Sequence, residues 1–375
     1  MASEGEMLPA AAAPPLDDEN LLSEILLRLP PLPSSLPRAS AVCKRWLSLV
    51  SDRGFIRRFR LRHRRNPPLL GLFRPSSGSI SFEPTMEPPN RVRFSSPIYD
   101  GDSFTLLGCR HGLVLIFHSS RGQVLVWDPV TGDQHRVATP LGMFKYGKRI
   151  DGTVLRAAGD AHHFQVVLLG YEKELNPRAS VCIYSSETCL WSNLISTPVP
   201  GDAVCYGKPP VLVGNIIYWL LSDSSSVILE VDLDTQSAAV TLVPTDMFPE
   251  LQECHNLMVI RAEGGLGLLS LVGYTAQLWK RKTGCDGVAS WMLGRTIELD
   301  RLLHLNSQKY NFPFIMMIAY AEENNVAFLR TFAGIFMVRL ESLEFRKKQA
   351  LVVNVMELST ICLCDVRVEQ ACFII

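Results

Sequence analysis

Leu16-Asp17-Asp18-Glu19-Asn20-Leu21-Leu22-Ser23-Glu24-Ile25-Leu26-Leu27-Arg28-Leu29-Pro30 reads as a helix with its start and stop signals in place. Asp17, Asp18 and Glu19 suit a helix N-terminus, where side-chain oxygens accept the free N–H groups and negative charge meets the positive end of the dipole. Leu21, Leu22, Ile25, Leu26 and Leu29 follow at the spacing of one apolar face. Pro30 and Pro31 end the helix, because proline lacks the N–H that another turn requires. From residue 16 to 61 the chain carries 21 apolar side chains in 46 positions. That is too apolar for a tail and too short for a comfortable free domain, since chains below roughly 70 residues bury too little surface alone. No ligand cluster or cysteine pair staples the segment, so a partner polypeptide is the natural cover for its surplus apolar surface.

Reading onward, Ser34 or Ser35 is placed to cap a second helix, with Pro37 in its first turn, where a missing N–H costs little. Val42, Trp46, Leu49 and Val50 continue an apolar face, and Asp52 and Gly54 mark a break before Phe55, Ile56 and Phe59. Arg53, Arg57, Arg58, Arg60, Arg62, Arg64 and Arg65 form a basic run. Its interleaved Phe55, Ile56, Phe59 and Leu61 make it a solvated face of an amphipathic helix rather than a polybasic tail.

These elements, in this order, resemble an F-box: Leu16 to Pro30, then Val42-Cys43-Lys44-Arg45-Trp46, then Leu49-Val50-Ser51-Asp52 and Phe55. The resemblance implies docking onto a Skp-type adaptor and, through it, a cullin, with the chain acting as the substrate receptor of a ubiquitin ligase. By the same resemblance the adaptor contacts fall on Leu16, Leu21, Leu22, Ile25, Leu26, Leu29, Pro30, Leu36, Val42, Cys43 and Trp46. The sequence departs from the family pattern at Asp17, where proline is common, and at Pro37, which shortens the second helix. The competing arrangement packs the same leucines and Trp46 against the chain's own C-terminal region.

The 375 residues are 47% hydrophobic and 20% charged, an ordinary globular balance with material for a large core. The 37 basic and 37 acidic residues cancel, so no global field draws in nucleic acid or an anionic membrane. The first fifteen residues carry two acids and no base, which fits a disordered leader better than a targeting peptide. Apolar runs such as Val211 to Leu221 fall short of a bilayer span, so a soluble chain is expected. Ten cysteines lie scattered without zinc spacing, the pattern of buried thiols in a reducing compartment, cytosol or nucleus.

Beyond Asn66 the helical period disappears. Gly112 to Phe117, Phe164 to Tyr171, Val211 to Leu221, Gly267 to Tyr274 and Asn325 to Val338 are rich in branched and aromatic residues and bounded by turn residues. Each leads to a segment reading strand, polar turn, strand; the first strands of these segments end at Trp127, Tyr184, Asp232, Trp279 and Arg339, leaving gaps of 57, 48, 47 and 60 residues. A repeat near 50 residues is the period of four-stranded propeller blades of the kelch kind. Asp128-Pro129-Val130-Thr131-Gly132, Tyr184-Ser185-Ser186-Glu187-Thr188 and Leu212 to Trp219 also resemble the F-box-associated β-propellers of large plant families, over Gly108 to about Lys348.

The expected architecture is therefore multidomain, α plus all-β: a small N-terminal three-helix F-box followed by a β-propeller of about six blades, or seven. Its parts are a leader (1–15), the helical module (16–62), a linker with the first propeller strands (63–100), the blades (101–348) and an apolar tail or closing strand (349–375). No nucleophile, base and orienting group stand together. Cys362-x-Cys364 lacks a second pair for zinc, and Gly264-Gly265-Leu266-Gly267 lacks the lysine of a phosphate loop and reads as a hairpin turn. No catalytic residue, metal or cofactor is implied, and no nucleic-acid or membrane partner; an unknown target protein would bind the propeller. The reading of another class is a propeller enzyme or carbohydrate-binding protein with an accessory helical cap.

Overall fold

A computed structural model of the chain describes residues 15–63, 67–76, 79–98, 103–140, 143, 149–156, 163–172, 177–200, 208–222, 226–243, 256–283, 289–305, 315–348 and 372–374. Most of the expected leader, Arg64 and Arg65, and Cys362 with Cys364 lie outside the described residues. The chain divides into two compact units, Met1–Pro68 with Met86–Val92, and Leu69–Thr85 with Arg93–Ile375.

The first unit is helical. A 3-10 turn, Pro15–Asp17, leads into α1 (Glu19–Leu27), followed by α2 (Ser35–Ser40), α3 (Lys44–Ser51) and α4 (Arg53–His63). Four helices thus replace the three expected: the second helix breaks where Cys43 turns extended between α2 and α3. Asp18 caps α1, accepting the N–H groups of Asn20 at 2.8 Å and Leu21 at 3.2 Å. Pro37 does sit in the first turn of α2. Ser34 holds the N-cap position, but its hydroxyl bonds Asn90 Oδ1 at 2.7 Å instead of capping. Gly54 lies inside α4, and the break falls at Asp52, whose carboxylate accepts the Phe55 N–H at 2.8 Å. Leu22, Leu26, Leu27, Ala39, Val50, Phe55 and Phe59 close a common core.

The second unit is a propeller of antiparallel sheets. Blade 1 is β3 (Phe104–Arg110), β4 (Leu113–His118), β5 (Gln123–Trp127) and β6 (Gln134–Ala138), preceded in sequence by β1 (Gly71–Ser76) and β2 (Ser79–Pro84). Blade 2 is β7 (Arg149–Arg156), β8 (Phe164–Glu172) and β9 (Arg178–Ser185), with β10 (Leu190–Trp191) and β11 (Ile195–Pro198) both on β9. Blade 3 is β12 (Val211–Val213), β13 (Ile216–Ser222), β14 (Ser226–Asp232) and β15 (Ser237–Leu242). Blade 4 is β16 (Leu257–Ala262), β17 (Gly265–Val272), β18 (Thr275–Thr283) and β19 (Ala289–Glu298), and blade 5, after α5 (Leu299–Leu302), is β20 (Ile315–Ala321), β21 (Val326–Thr331), β22 (Gly334–Arg339) and β23 (Phe345–Lys348). The terminal strand β24 (Cys372–Ile374) pairs with β1, which also pairs with β2.

Five full blades, rather than six or seven, therefore stand among the described residues, with a three-stranded sheet, β2-β1-β24, beside them. Residues 101–348 at the period of the repeat hold five blades; the higher count included the flanking stretches, whose described strands form the β2-β1-β24 sheet instead. First strands touch first strands of neighbouring sheets, which puts them at the axis. Apolar clusters fill the gaps between blades 1 and 2, between 2 and 3, and across 3, 4 and 5. Such sheets cannot cover both faces alone, so each blade is stable only between neighbours.

Each continuous apolar run noted above contains the second strand of a blade, buried on both faces; all six residues of β4 are buried. Val211 to Leu221 and Asn325 to Val338 each hold a hairpin as well. The repeat markers Trp127, Tyr184, Asp232 and Arg339 fall at or next to the ends of third strands, where Asp128 and Asp232 each accept two backbone N–H groups of the following turn. Trp279 differs: Lys280 to Thr283 continue β18 and are not a turn. Glu263 and Gly264 do form a hairpin turn, with φ of 48° and 81°, the left-handed pair of a tight two-residue loop.

Candidate functional site

The helical unit closes its own core and still leaves large apolar side chains outside it. On α1, Leu22 and Leu26 are 0% and 1% exposed, whereas Leu21 and Ile25, about 100° round the helix, are 44% and 38% exposed. Leu16 in the preceding turn is 45% exposed, and Val42 in the α2–α3 connection is 61% exposed. Arg45 brings these two segments together. Its guanidinium donates to the carbonyl oxygens of Leu16 at 3.0 Å and Asp17 at 2.6 Å, and lies 3.7 Å from the Asp17 carboxylate. The 3-10 turn ahead of α1 is thereby latched to the start of α3, and Leu16, Leu21, Ile25, Val42 and Cys43 on these segments are all exposed.

Not all sequence-predicted contacts are exposed in this way. Leu22 and Leu26 belong to the unit's interior, and Leu29, Leu36 and Trp46 are half-buried against it; Pro30 is exposed. The apolar spacing on α1 merged two faces that a helix of radius about 2.3 Å separates. Leu32 and Leu47, 36% and 49% exposed, were not picked out by sequence, and Arg45 entered only as part of the Val42 to Trp46 motif, not as a latch. Leu32 is masked among prolines, and Leu47 lies off the stripe of Val42, Trp46, Leu49 and Val50.

In the propeller, side chains converge where the first strands end. Arg110 at the end of β3 pairs with Glu322, just after β20, at 2.7 Å, and donates to Pro210 O at 2.7 Å. Glu322 also accepts the Leu212 N–H of β12 and lies 3.7 Å from Arg261 of β16. At the end of β7, the Arg156 N–H donates to His111 Nδ1 at 3.1 Å and its side chain reaches Asp128 at 2.8 Å. That acceptor role leaves the proton on His111 Nε2, which faces Glu323 Oε1 at 3.3 Å.

Every full blade thus contributes to one charged girdle at one end of the axis. Burial pushes the Glu322 carboxyl up from its ordinary value, only partly opposed by Arg110. Burial also pushes Glu323 upward, but the His111 hydrogen bond and the Arg110 charge outweigh it and leave Glu323 below the ordinary range. Tyr320 is raised, chiefly by burial. Three arginines face three carboxylates, so the girdle spends its charge on holding blades together. Among the described residues no group of three or more His, Cys, Asp or Glu could hold a metal ion, and no helix is long and apolar enough to cross a membrane.

A helical module with exposed leucines joined to a propeller defines a class, that of F-box proteins with a β-propeller. Residues 16–58 match the F-box domain, and residues 105–363 match the family described as F-box protein AT5G49610-like, beta-propeller. The chain belongs to that family. It is 27% identical over 240 residues to an Arabidopsis thaliana protein named as an F-box protein, At1g33530, covering 60% of this chain and 50% of the relative. It is 25% identical over 220 residues to the F-box/kelch-repeat protein At3g61590 of the same plant, covering 54% and 51%. The chain spans about half the length of the curated relatives it matches. A chain from the crystal structure of the nidogen/laminin complex superposes with a TM-score of 0.39 at 8% identity, over 81% of this chain and 98% of that one.

Proposed function

We propose that this chain is the substrate-receptor subunit of a Skp-cullin-F-box ubiquitin ligase: its helical unit docks a Skp-type adaptor, which brings the cullin, and its propeller holds a target protein. The observation that carries this reading is the exposed set Leu16, Leu21, Ile25 and Val42 on a unit whose core is already closed. The part of their apolar surface still open to solvent is free to stabilise whatever covers it. Leu29, Pro30, Leu36, Cys43 and Trp46 border the same docking face, while Leu22 and Leu26 act on it by holding α1 in place.

The receptor supplies proximity rather than chemistry. Tethering a target beside a charged ubiquitin-conjugating enzyme raises effective concentration without any receptor atom entering the reaction. In this reading residues 16–62 are the docking module, 101–348 the target-holding blades, and the three-stranded sheet the incomplete sixth position of the ring. Leu69 and Leu72 sharing a cluster with Ala319 and Phe328, and Phe73 lying 5.3 Å from Trp127, support that placement. Exposed free thiols at Cys43 and Cys189 fit a reducing cytosol or nucleus. The test is co-purification of the full chain with a Skp-type adaptor and cullin: a ternary complex lost on Leu21→Lys/Ile25→Lys, with melting unchanged, supports the reading. Equal recovery of the variant would overturn it.

A further inference from the structure

The α4 helix carries five arginines and no acidic residue, in a chain whose 37 basic and 37 acidic residues cancel as a whole. Arg53, Arg57 and Arg60 recur at i, i+4 and i+7, which places them in one stripe about 10 Å long. All three are exposed, on the side of the helix turned away from buried Phe55 and Phe59. Among the described residues none of the three has a hydrogen bond or ion pair, whereas Arg58 bonds Ser23 at 3.0 Å. The neighbouring carboxylate, Asp52, is occupied with the Phe55 N–H.

This arrangement works against the helix that bears it. Like charges three and four residues apart repel, and Arg53 sits at the positive end of the helix dipole. Surface helices ordinarily relieve such strain with alternating charge, and a local rule broken without compensation marks a site of use.

We propose that the Arg53/Arg57/Arg60 stripe is a docking surface for an acidic polypeptide segment, separate from the leucine face. Leu61, 52% exposed and adjacent to the stripe, selects among anionic partners. It gives an acidic amphipathic segment an apolar contact that a phosphate backbone lacks. A lipid surface is disfavoured because the apolar side of α4 is consumed by the unit's core, with Phe55 0% and Phe59 8% exposed. The proposal does not depend on the adaptor reading.

The test uses the full chain and a labelled helical peptide with glutamates at i, i+4 and i+7 beside a leucine. A scrambled peptide of the same composition, a duplex DNA of similar charge and phosphatidylserine vesicles are titrated in parallel. Arg53→Gln/Arg57→Gln/Arg60→Gln should weaken the patterned peptide at least tenfold and keep or raise the melting temperature; Leu61→Ser should weaken it severalfold. The scrambled peptide should bind at least fivefold more weakly. Unchanged affinity in the triple variant, a lowered melting temperature, or DNA or vesicles bound as tightly as the patterned peptide would overturn the proposal. Leu21→Lys/Ile25→Lys separates the two surfaces, since it should leave peptide binding intact even where it abolishes adaptor binding.

Discussion

Replacing Leu21 and Ile25 by alanine should weaken adaptor binding without unfolding the helical unit. Full burial of a Leu or Ile side chain is worth about 1.5 to 3 kcal/mol. Leu21 and Ile25 still show 44% and 38% of their surface, so covering them completely yields about 1.2 to 2.4 kcal/mol together, scaling the same per-residue value. Alanine keeps its Cβ, which leaves an expected loss of roughly 5- to 30-fold in Kd at about 1.4 kcal/mol per decade. Calorimetric titration of the full chain with a purified Skp-type adaptor measures this, with thermal melts alongside. Leu26→Ala is the contrasting variant: at 1% exposure it creates a cavity, and should cost about 2 to 5 kcal/mol of stability. If the double alanine variant melts like the wild type and binds within about twofold of it, the exposed face is not the docking face.

Breaking the girdle pair by Arg110→Met should destabilise the propeller by about 3 to 5 kcal/mol, because buried Glu322 loses its nearest cation; Arg110→Met/Glu322→Leu should lose less, as read by denaturant titration of both variants and the wild type. A carboxyl raised in the folded state takes up its proton more readily there, so Arg110→Met should regain stability as the pH falls through the raised Glu322 pKa, and melting that only worsens with acid would count against it. Glu323 has the opposite sign: its lowered pKa contributes stability above the ordinary glutamate value and loses it as pH falls, so Glu323→Gln should flatten the acid limb of a melting-versus-pH series. Asp18→Ala removes the acceptor of two N–H groups and should cost the helical unit about 1 kcal/mol, visible as faster amide exchange at Asn20 and Leu21.

What the sequence made legible follows from how locally each feature is encoded. The start of α1 was readable because Asp18 and the prolines act within a few residues of where they stand. The second strands were readable because burial on both faces demands an unbroken apolar run, as in Leu113 to Phe117. Fourth strands were legible only through the polar turn before them, and this failed in blade 4, where Lys280 to Thr283 continue β18 and β19, nearly all exposed, resembles a loop. The inward and outward leucines of α1 could not be told apart, since Leu21 and Leu22 are identical in chemistry and differ only in what the distant Phe55 and Phe59 cover. The girdle was invisible because Arg110, Arg156, Arg261, Glu322 and Glu323 are spread over more than 200 positions and meet only at the propeller axis. The break at Cys43 has no proline or glycine to announce it.

The most direct measurement is light scattering during size-exclusion chromatography of the full chain mixed with a purified Skp-type adaptor and the N-terminal part of a cullin. One peak with the summed mass of all three, reduced to separate peaks by Leu21→Lys/Ile25→Lys, is the predicted result. Separate peaks for the unaltered chain at tens of micromolar, well above the Kd of any stable subunit contact, would contradict the assignment as a ligase receptor.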